Sequence, residues 1–303
     1  MLIHAGALGD FVLALRVVAV LRRAGAARVT VLGRPTIAAL AVGRAGVDAA
    51  IDIDTGGFHM LTVPAGDISS WVRECLAGVD LAVNMLPGGM QAARLRAAGV
   101  KRIIDLDPRP IPGDARHITD QWLAHLAGQG MDTAVGPSRL TMTPVDLSDA
   151  RTQWQRLLGA SYSPPVVIHP GSGGRHKCWP LDRFVALARR VRGGGRAVAF
   201  LFGHVEVERM SRADLDALRL EFPCVEDQPL ERAAALLAMA NPFIGNDSGV
   251  AHLAAAVGTP SVAVFGPTDA RVWSPLGPRV RVVTSPNGDW PTVDDVHAAL
   301  PET

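Results

Sequence analysis

The sequence predicts an α/β protein made of two doubly wound halves, each a parallel sheet flanked by helices. Short apolar runs of strand length alternate with longer amphipathic stretches along the chain, which is the pattern of repeated βαβ units. The alternation breaks at residues 130–144, a stretch rich in Gly, Pro and Thr without a clear period that reads as an interdomain linker. At ~150 residues per domain, the 303 residues suggest two domains, placed here at 1–145 and 146–303.

The elements follow in order. In the first half the apolar runs Leu2–His4, Val29–Leu32, Ala50–Ile53, Leu81–Asn84 and Arg102–Leu106 are strand candidates, separated by helical patterns near 10–24, 36–44, 67–77, 89–98 and 117–128. Past the linker, Ser148 or Asp149 is a candidate cap for a helix reaching Leu158. Val166–His169, Ala197–Phe202, Pro242–Gly245 and Ser261–Phe265 then read as buried strands, each followed by a helix. The last segment, Val293–Leu300, has the pattern of a terminal helix free to pack on either half, including back onto the N-terminal one.

Charge and composition exclude some functions. Thirty Lys and Arg against 29 Asp and Glu give a net charge of +1, which leaves no basic surplus for a nucleic-acid partner. Only two of the 30 are Lys, Lys101 and Lys177, so a position that keeps lysine in an arginine-biased chain draws notice. Three scattered cysteines form neither a disulfide framework nor a zinc motif. The stretch Phe11–Leu21 is interrupted by Arg16, follows Asp10 and is too short for a membrane helix, so a cytoplasmic location is expected.

In doubly wound sheets, ligands sit beyond the carboxyl ends of strands, where loops enter helices. Gly6 and Gly9 would let the first such loop turn tightly and a ligand approach, which makes Gly9 a candidate donor-binding residue, and Asp10 reads either as a first-turn carboxylate favoured by the helix dipole or as a general base for a hydroxyl nucleophile. The loop His169–Pro180 joins glycines to Ser172, Gly173 and Lys177, a candidate phosphate cradle without the spacing of a Walker loop. Trp179 in that loop reads as packing. After the strand ending at Gly245, Asp247, Ser248 and Gly249 form a helix mouth suited to an anion, with His252 on the same helix face. Thr268 lies in a neighbouring Gly-Pro-Thr loop, and Glu206 or Glu208, just past Phe202, is a candidate ribose ligand. Together these loops suggest a nucleotide held by the second half and a reacting hydroxyl presented by the first.

The segments GALGD at 6–10, HPGSGGRHKCWP at 169–180, GNDSGVAHLAAAVGTP at 245–260 and VFGPTD at 264–269 resemble, in order and spacing, glycosyltransferase family 9, the ADP-heptose:lipopolysaccharide heptosyltransferases. The resemblance spans about residues 2–275. It implies a GT-B fold, two Rossmann-like domains facing across a cleft, and an inverting sugar transfer that requires neither metal nor cofactor. It also implies that Asp10 is the catalytic base and Lys177 a phosphate ligand. Asp247, Ser248 and Gly249 would form the diphosphate-binding helix mouth, with His252 beside it, and Glu206 would bind ribose, with Glu208 as a competing alignment. The donor expected is ADP-heptose and the acceptor a saccharide such as lipopolysaccharide inner core, which would bring the protein to the cytoplasmic face of the inner membrane as a peripheral contact. Arg94, Arg96, Lys101 and Arg102 are candidates to meet an acidic acceptor. Two departures from the family pattern fall at His4, where arginine is usual, and at Ala14-Leu15-Arg16, where a proline is common.

The expected reaction is a single displacement at the donor's anomeric carbon. Asp10 would take the acceptor proton, while Lys177, Ser172 and the helix mouth at Ser248–Gly249 stabilise the leaving diphosphate. Asp105-Leu106-Asp107 has the spacing of a metal-binding DxD pair but precedes a Pro-rich stretch and reads as a turn. The competing readings are a nucleotide-sugar epimerase or hydrolase of the same architecture and a non-catalytic sugar-nucleotide-binding protein. A dehydrogenase is disfavoured by the absence of a GxGxxG loop.

Overall fold

The structure, a computed structural model, describes residues 1–88, 92–286 and 288–301. The chain divides into two compact units, Met1–Ser138 and Arg139–Thr303, the division falling inside the 130–144 segment. Leu140 N–H donates to the Ala256 carbonyl at 2.9 Å and so fastens the end of that segment to the second unit.

In the first unit, β1 (Leu2–His4), β2 (Thr30–Gly33), β3 (Ala49–Asp52), β4 (Leu81–Asn84) and β5 (Arg102–Asp105) form a parallel sheet in the order β3-β2-β1-β4-β5. Winding reverses between β1 and β4, so the loop leaving β1 opens at the switch point where such sheets bind ligands. In the second unit, β6 (Val166–His169), β7 (Val198–Phe202), β8 (Cys224–Glu226), β9 (Phe243–Asn246), β10 (Ser261–Val264) and β11 (Val280–Val283) are also parallel, in the order β11-β10-β9-β6-β7-β8. Here winding reverses between β6 and β9, and the two most informative loops of the sequence leave those adjacent strands. Both units are thus Rossmann-like, as predicted.

All residues of β1, β6, β7, β9 and β10 are buried, which is why they read as unbroken apolar runs. The expected boundaries shift by a residue or so at most other strands. β8 and β11 escape the sequence reading because they are edge strands, short and only partly buried.

The helix expected to start after Ser148 or Asp149 instead spans Pro144–Leu158. Thr143 is its cap, with Asp146 reaching back to the Thr143 N–H at 2.9 Å in a reciprocal capping box, and Pro144 occupies the first helical position, where its missing N–H costs nothing. The helix expected over 89–98 is Ala92–Ala97, and residues 89–91 lie outside the described residues. The terminal helix, Val293–Ala298, packs within the second unit, where Val296 is fully buried in the core beside Val293, Ala299 and Leu300. Among the described residues no helix is long and apolar enough to cross a membrane.

Candidate functional site

In the second unit the loop after β6 and the loop after β9 are braced against each other by side chains the sequence had singled out, and by one it had not. Asn246, the last residue of β9 and fully buried, accepts from Trp179 N–H at 2.8 Å and donates to the Pro170 and Gly171 carbonyls at 2.8 and 3.2 Å. Ser172 Oγ donates to the Asp247 carbonyl at 2.7 Å. Lys177 Nζ lies 2.8 Å from Asp247 Oδ2, an ion pair in which the aspartate is nearly buried and the lysine stays partly open. Trp179 is buried against Phe184, ring centroids 4.8 Å apart, and donates to the Pro291 carbonyl at 2.9 Å, which is packing as predicted.

The helix Gly249–Ala256 begins on this brace. Ser248 caps it by accepting from Ala251 N–H at 3.3 Å, and by helix geometry the first N–H groups, including that of Gly249, have no intrahelical acceptor. His252 is buried on the same helix. Thr268 sits in the loop after the neighbouring strand β10, its Oγ1 buried and without a hydrogen bond among the described residues. Gly173 is exposed, and its carbonyl accepts from Arg209 at 3.2 Å.

Glu206 and Glu208, both left open by the sequence, have different surroundings. Glu208 is exposed and lies 3.0 Å from His204 one helical turn back. Glu206 is buried in the first turn of the helix His204–Arg209; its Oε2 accepts from Gly203 N–H at 2.9 Å and lies 3.5 Å from His169 Nε2. Burial pushes the Glu206 carboxyl up, but the His169 ring and the backbone N–H groups together outweigh it and hold the group below the usual carboxylate range. Glu206 lies directly over Gly171, so a Cβ at that position would fall inside the carboxylate. A cavity of about 320 Å³ opens here, lined by Ser172, Arg175, Cys178, Trp179, Glu206 and Arg209. Lys177, Asp247 and the helix mouth lie outside its lining.

In the first unit the loop after β1 enters the helix Leu8–Arg23. Gly9 is its second residue and Asp10 lies in its first turn, half-buried. The cap, Ala7, offers no side chain to the helix N-terminus, so a first-turn carboxylate there is favoured by the dipole. A Cβ at Gly6 would stand 3.1 Å from His4 Nε2 and 3.3 Å from Asp10 Oδ2, which places both groups around the same glycine.

The basic candidates scatter. Arg94 Nη2 donates to the Met60 and Gly66 carbonyls at 3.2 and 2.6 Å, holding down the loop before residue 67, while Arg96 is exposed. Lys101 pairs with Asp80 at 2.6 Å and Arg102 donates to the Gln129 carbonyl at 2.7 Å. Asp105 accepts from Asn84 at 2.8 Å, and Asp107 pairs with Arg109 at 2.7 Å, as suits a turn. Among the described residues no group of three or more His, Cys, Asp or Glu side chains is placed to hold a metal ion.

Sequence reasoning missed Asn246, the His169–Glu206 contact and the convergence of His4 on Asp10. A polar residue ending an otherwise apolar strand marks Asn246, His169 and His4 alike, and was the available signal.

Comparison with known proteins bears on the family and the fold. The family model described as glycosyltransferase family 9 (heptosyltransferase) matches residues 108–301. Lipooligosaccharide heptosyltransferase 2 of Haemophilus influenzae is 29% identical over 157 residues, 50% of this chain and 45% of the relative. Lipopolysaccharide heptosyltransferase 3 of Escherichia coli is 28% identical over 219 residues, 65% of this chain and 62% of the relative. The chain therefore spans about half to three-fifths of the curated relatives it matches. The crystal structure of a family 9 glycosyl transferase from Veillonella parvula superposes with a TM-score of 0.75 at 18% identity, covering 98% of this chain and 94% of that one. The ADP-heptose lipopolysaccharide heptosyltransferase II of E. coli gives 0.72 at 17% identity, covering 98% and 96%. With the GT-B fold of two Rossmann-like units in common and the family model matching well over half its length, the chain belongs to glycosyltransferase family 9.

Proposed function

We infer that the protein is an inverting glycosyltransferase that moves a sugar, heptose carried on ADP, to a saccharide acceptor of the lipopolysaccharide inner core, without a required metal. The observation that carries this reading is the brace in the second unit, where a lysine, a glycine-rich loop and an open helix N-terminus meet. That set suits a diphosphate: a mobile cation with backbone N–H groups on one side. Ser172 contributes by fixing the loop, since its hydroxyl is engaged by Asp247. Glu206, which lines the cavity where Glu208 faces solvent, is the better candidate for the ribose hydroxyls. Gly173, Asp247, Gly249, His252 and Thr268 complete the donor side.

In the reaction, the acceptor hydroxyl oxygen bonds to the anomeric carbon as the bond from that carbon to the diphosphate oxygen breaks. The hydroxyl proton goes to Asp10, and the departing electron pair rests on the diphosphate, stabilised by Lys177 and the Gly249 helix mouth. Lipopolysaccharide as acceptor brings the protein to the cytoplasmic face of the inner membrane as a peripheral enzyme. Arg96, exposed on its helix, remains a candidate contact for an acidic acceptor, whereas Arg94 is engaged with backbone carbonyls.

The test is transfer from ADP-heptose to a core oligosaccharide, followed with and without acceptor and with and without chelator. Asp10→Asn should cut kcat by ~10²–10⁴ while ADP still binds. Sugar release or epimerisation independent of acceptor would favour the hydrolase or epimerase alternative, ADP-sugar binding without turnover the non-catalytic one, and full activity of Asp10→Asn would remove the base from Asp10.

A further inference from the structure

The chain hides its aromatic side chains with one exception. All eight Phe are buried, and of the six Trp only Trp71 is exposed, at 41%. For a side chain of ~250 Å² that leaves about 100 Å² open, close to one face of an indole ring. Trp71 is the second residue of the helix Ser70–Leu76, whose inner side is set by the buried Val72 and Leu76. The ring is nonetheless held in place. It lies against Gly56, where a Cβ would stand 2.0 Å from its Cζ3, and it meets Phe58 edge-on with centroids 5.3 Å apart. Gly56 has a φ of +64°, so both the backbone and the ring call for glycine there.

The loop that carries Gly56 is fastened as well. Ser69 Oγ donates to the Gly56 carbonyl at 3.0 Å while accepting from Val72 N–H at 3.2 Å, and Arg94 Nη2 ties down the Met60 and Gly66 carbonyls from the helix Ala92–Ala97. A half-open ring fixed in this way is covered by a ligand at little ordering cost.

What covers the ring follows from charge and position. Residues 52–71 carry Asp52, Asp54 and Asp67 and no Lys or Arg, and Arg94 beside them is engaged with backbone carbonyls. An acidic sugar or an anionic bilayer is therefore repelled, even with Val63 exposed on the same loop. A neutral pyranose suits both features. Its C–H groups rest on the negative face of the indole, and its hydroxyls have protons to give to the exposed carboxylates of Asp54 and Asp67. The place in the sheet agrees. β3 ends on the same edge as β1 with β2 between them, so at ~4.8 Å per strand their loops leave about 10 Å apart, roughly the length of two sugar units.

We propose that Trp71 is a stacking platform for a neutral sugar of the acceptor, one unit removed from the sugar whose hydroxyl attacks. This rests on the glycosyltransferase reading above, in which Asp10, after β1, takes the proton of that hydroxyl. Trp71 takes no part in bond making; it adds affinity for acceptors long enough to reach it.

The experiment uses the full chain, ADP-heptose, a deacylated core oligosaccharide ending in two neutral heptoses, and a single-heptose glycoside as the short acceptor. The oligosaccharide should protect wild-type tryptophan fluorescence from acrylamide quenching, and the short acceptor should not. Trp71→Leu keeps an apolar contact with Phe58 but has no ring. It should lose the protection and raise the KM of the long acceptor roughly tenfold, with donor KM, ADP affinity and the KM of the short acceptor unchanged. Trp71→Tyr should restore most of the loss. A folded Trp71→Leu with an unchanged long-acceptor KM, a failure of Trp71→Tyr to restore it, or an equal rise for the short acceptor overturns the platform. So does binding to anionic vesicles that disappears in Trp71→Leu while the oligosaccharide kinetics stay those of the wild type. Should Trp71→Leu unfold, the wild-type quenching decides alone, and absence of protection by the oligosaccharide overturns the proposal. Protection without transfer from ADP-heptose leaves the platform standing and overturns the parent reading instead.

Discussion

The Lys177–Asp247 pair makes a quantitative prediction that separates its structural from its functional role. Nζ and Oδ2 are 2.8 Å apart, with the aspartate side chain 6% and the lysine 31% exposed. Lys177→Ala therefore leaves a nearly buried carboxylate without its cation, and a charge-assisted hydrogen bond of this kind contributes ~1.5–3 kcal/mol, so unfolding of the second unit should move by about that amount. Asp247→Asn in the same background removes the orphaned charge and should return most of the lost stability. Nucleotide binding should behave differently. On the proposed donor role, losing the ammonium would remove a direct partner of the diphosphate and, in the single variant, leave Asp247 to repel it; ~2 kcal/mol or more corresponds to at least ~30-fold weaker ADP. The double variant relieves the repulsion but does not replace the ammonium, so ADP affinity should recover only in part. Calorimetric titration with ADP and urea unfolding of the three variants provide the assay. If the double variant binds ADP like the wild type, Lys177 serves the fold and not the donor; if Lys177→Ala binds ADP unchanged, the phosphate role fails outright.

Three further outcomes follow from neighbouring geometry. Gly171→Ala would drive a Cβ into the Glu206 carboxylate, so ADP should bind at least tenfold more weakly than inorganic pyrophosphate is affected; equal losses for both would detach Glu206 from the ribose. Asn246→Leu leaves Trp179 N–H and the Pro170 and Gly171 carbonyls without their partner, and urea unfolding should show a loss of ~3 kcal/mol or more, whereas a loss under ~1 kcal/mol would mean the brace is dispensable. His4, with its folded-state pKa pushed down to about 4, is neutral in the fold while the unfolded chain protonates it near 6.5. Its stabilising contribution is thus present above pH ~6.5 and lost as pH falls toward 4, up to ~3 kcal/mol. The difference in unfolding free energy between wild type and His4→Phe should shift by an amount of that order across the window, and a difference flat with pH would show that the ring is not buried in its neutral form.

The fold was legible wherever one strand carried its own signal. Central strands of a doubly wound sheet are buried on both faces, so β6, β7, β9 and β10 announce themselves as apolar runs. β8 and β11 do not, because an edge strand's identity lies in its pairing with β7 or β10 rather than in its composition. The start of the helix Pro144–Leu158 was misread for a related reason: Pro144 looks like the end of a linker until the Thr143–Asp146 box shows it to be the first helical residue. At the site, residue types marked the loops, since glycines with Lys, Ser and Asp at strand ends have few other uses. What spacing cannot carry is which loops touch. That Lys177 meets Asp247, that Asn246 spans two loops, and that His4 and Asp10 share one glycine all depend on strand order, which is set by the whole sheet.

The two loops after β6 and β9 and the loop after β1 differ in one physical respect that bears on how the proposed reaction is organised. The former are cross-braced by Asn246, by Ser172 and by the Lys177 ion pair, so the backbone donors expected to meet a diphosphate are held in place before it arrives. Binding to a preorganised cradle costs little ordering entropy, and the rearrangement it needs is confined to one lysine swinging from a carboxylate to a phosphate. Around Gly6 the arrangement differs: the buried His4 ring and the Asp10 carboxylate crowd within 3.3 Å of the glycine's Cβ position, so a side chain there would displace one of them.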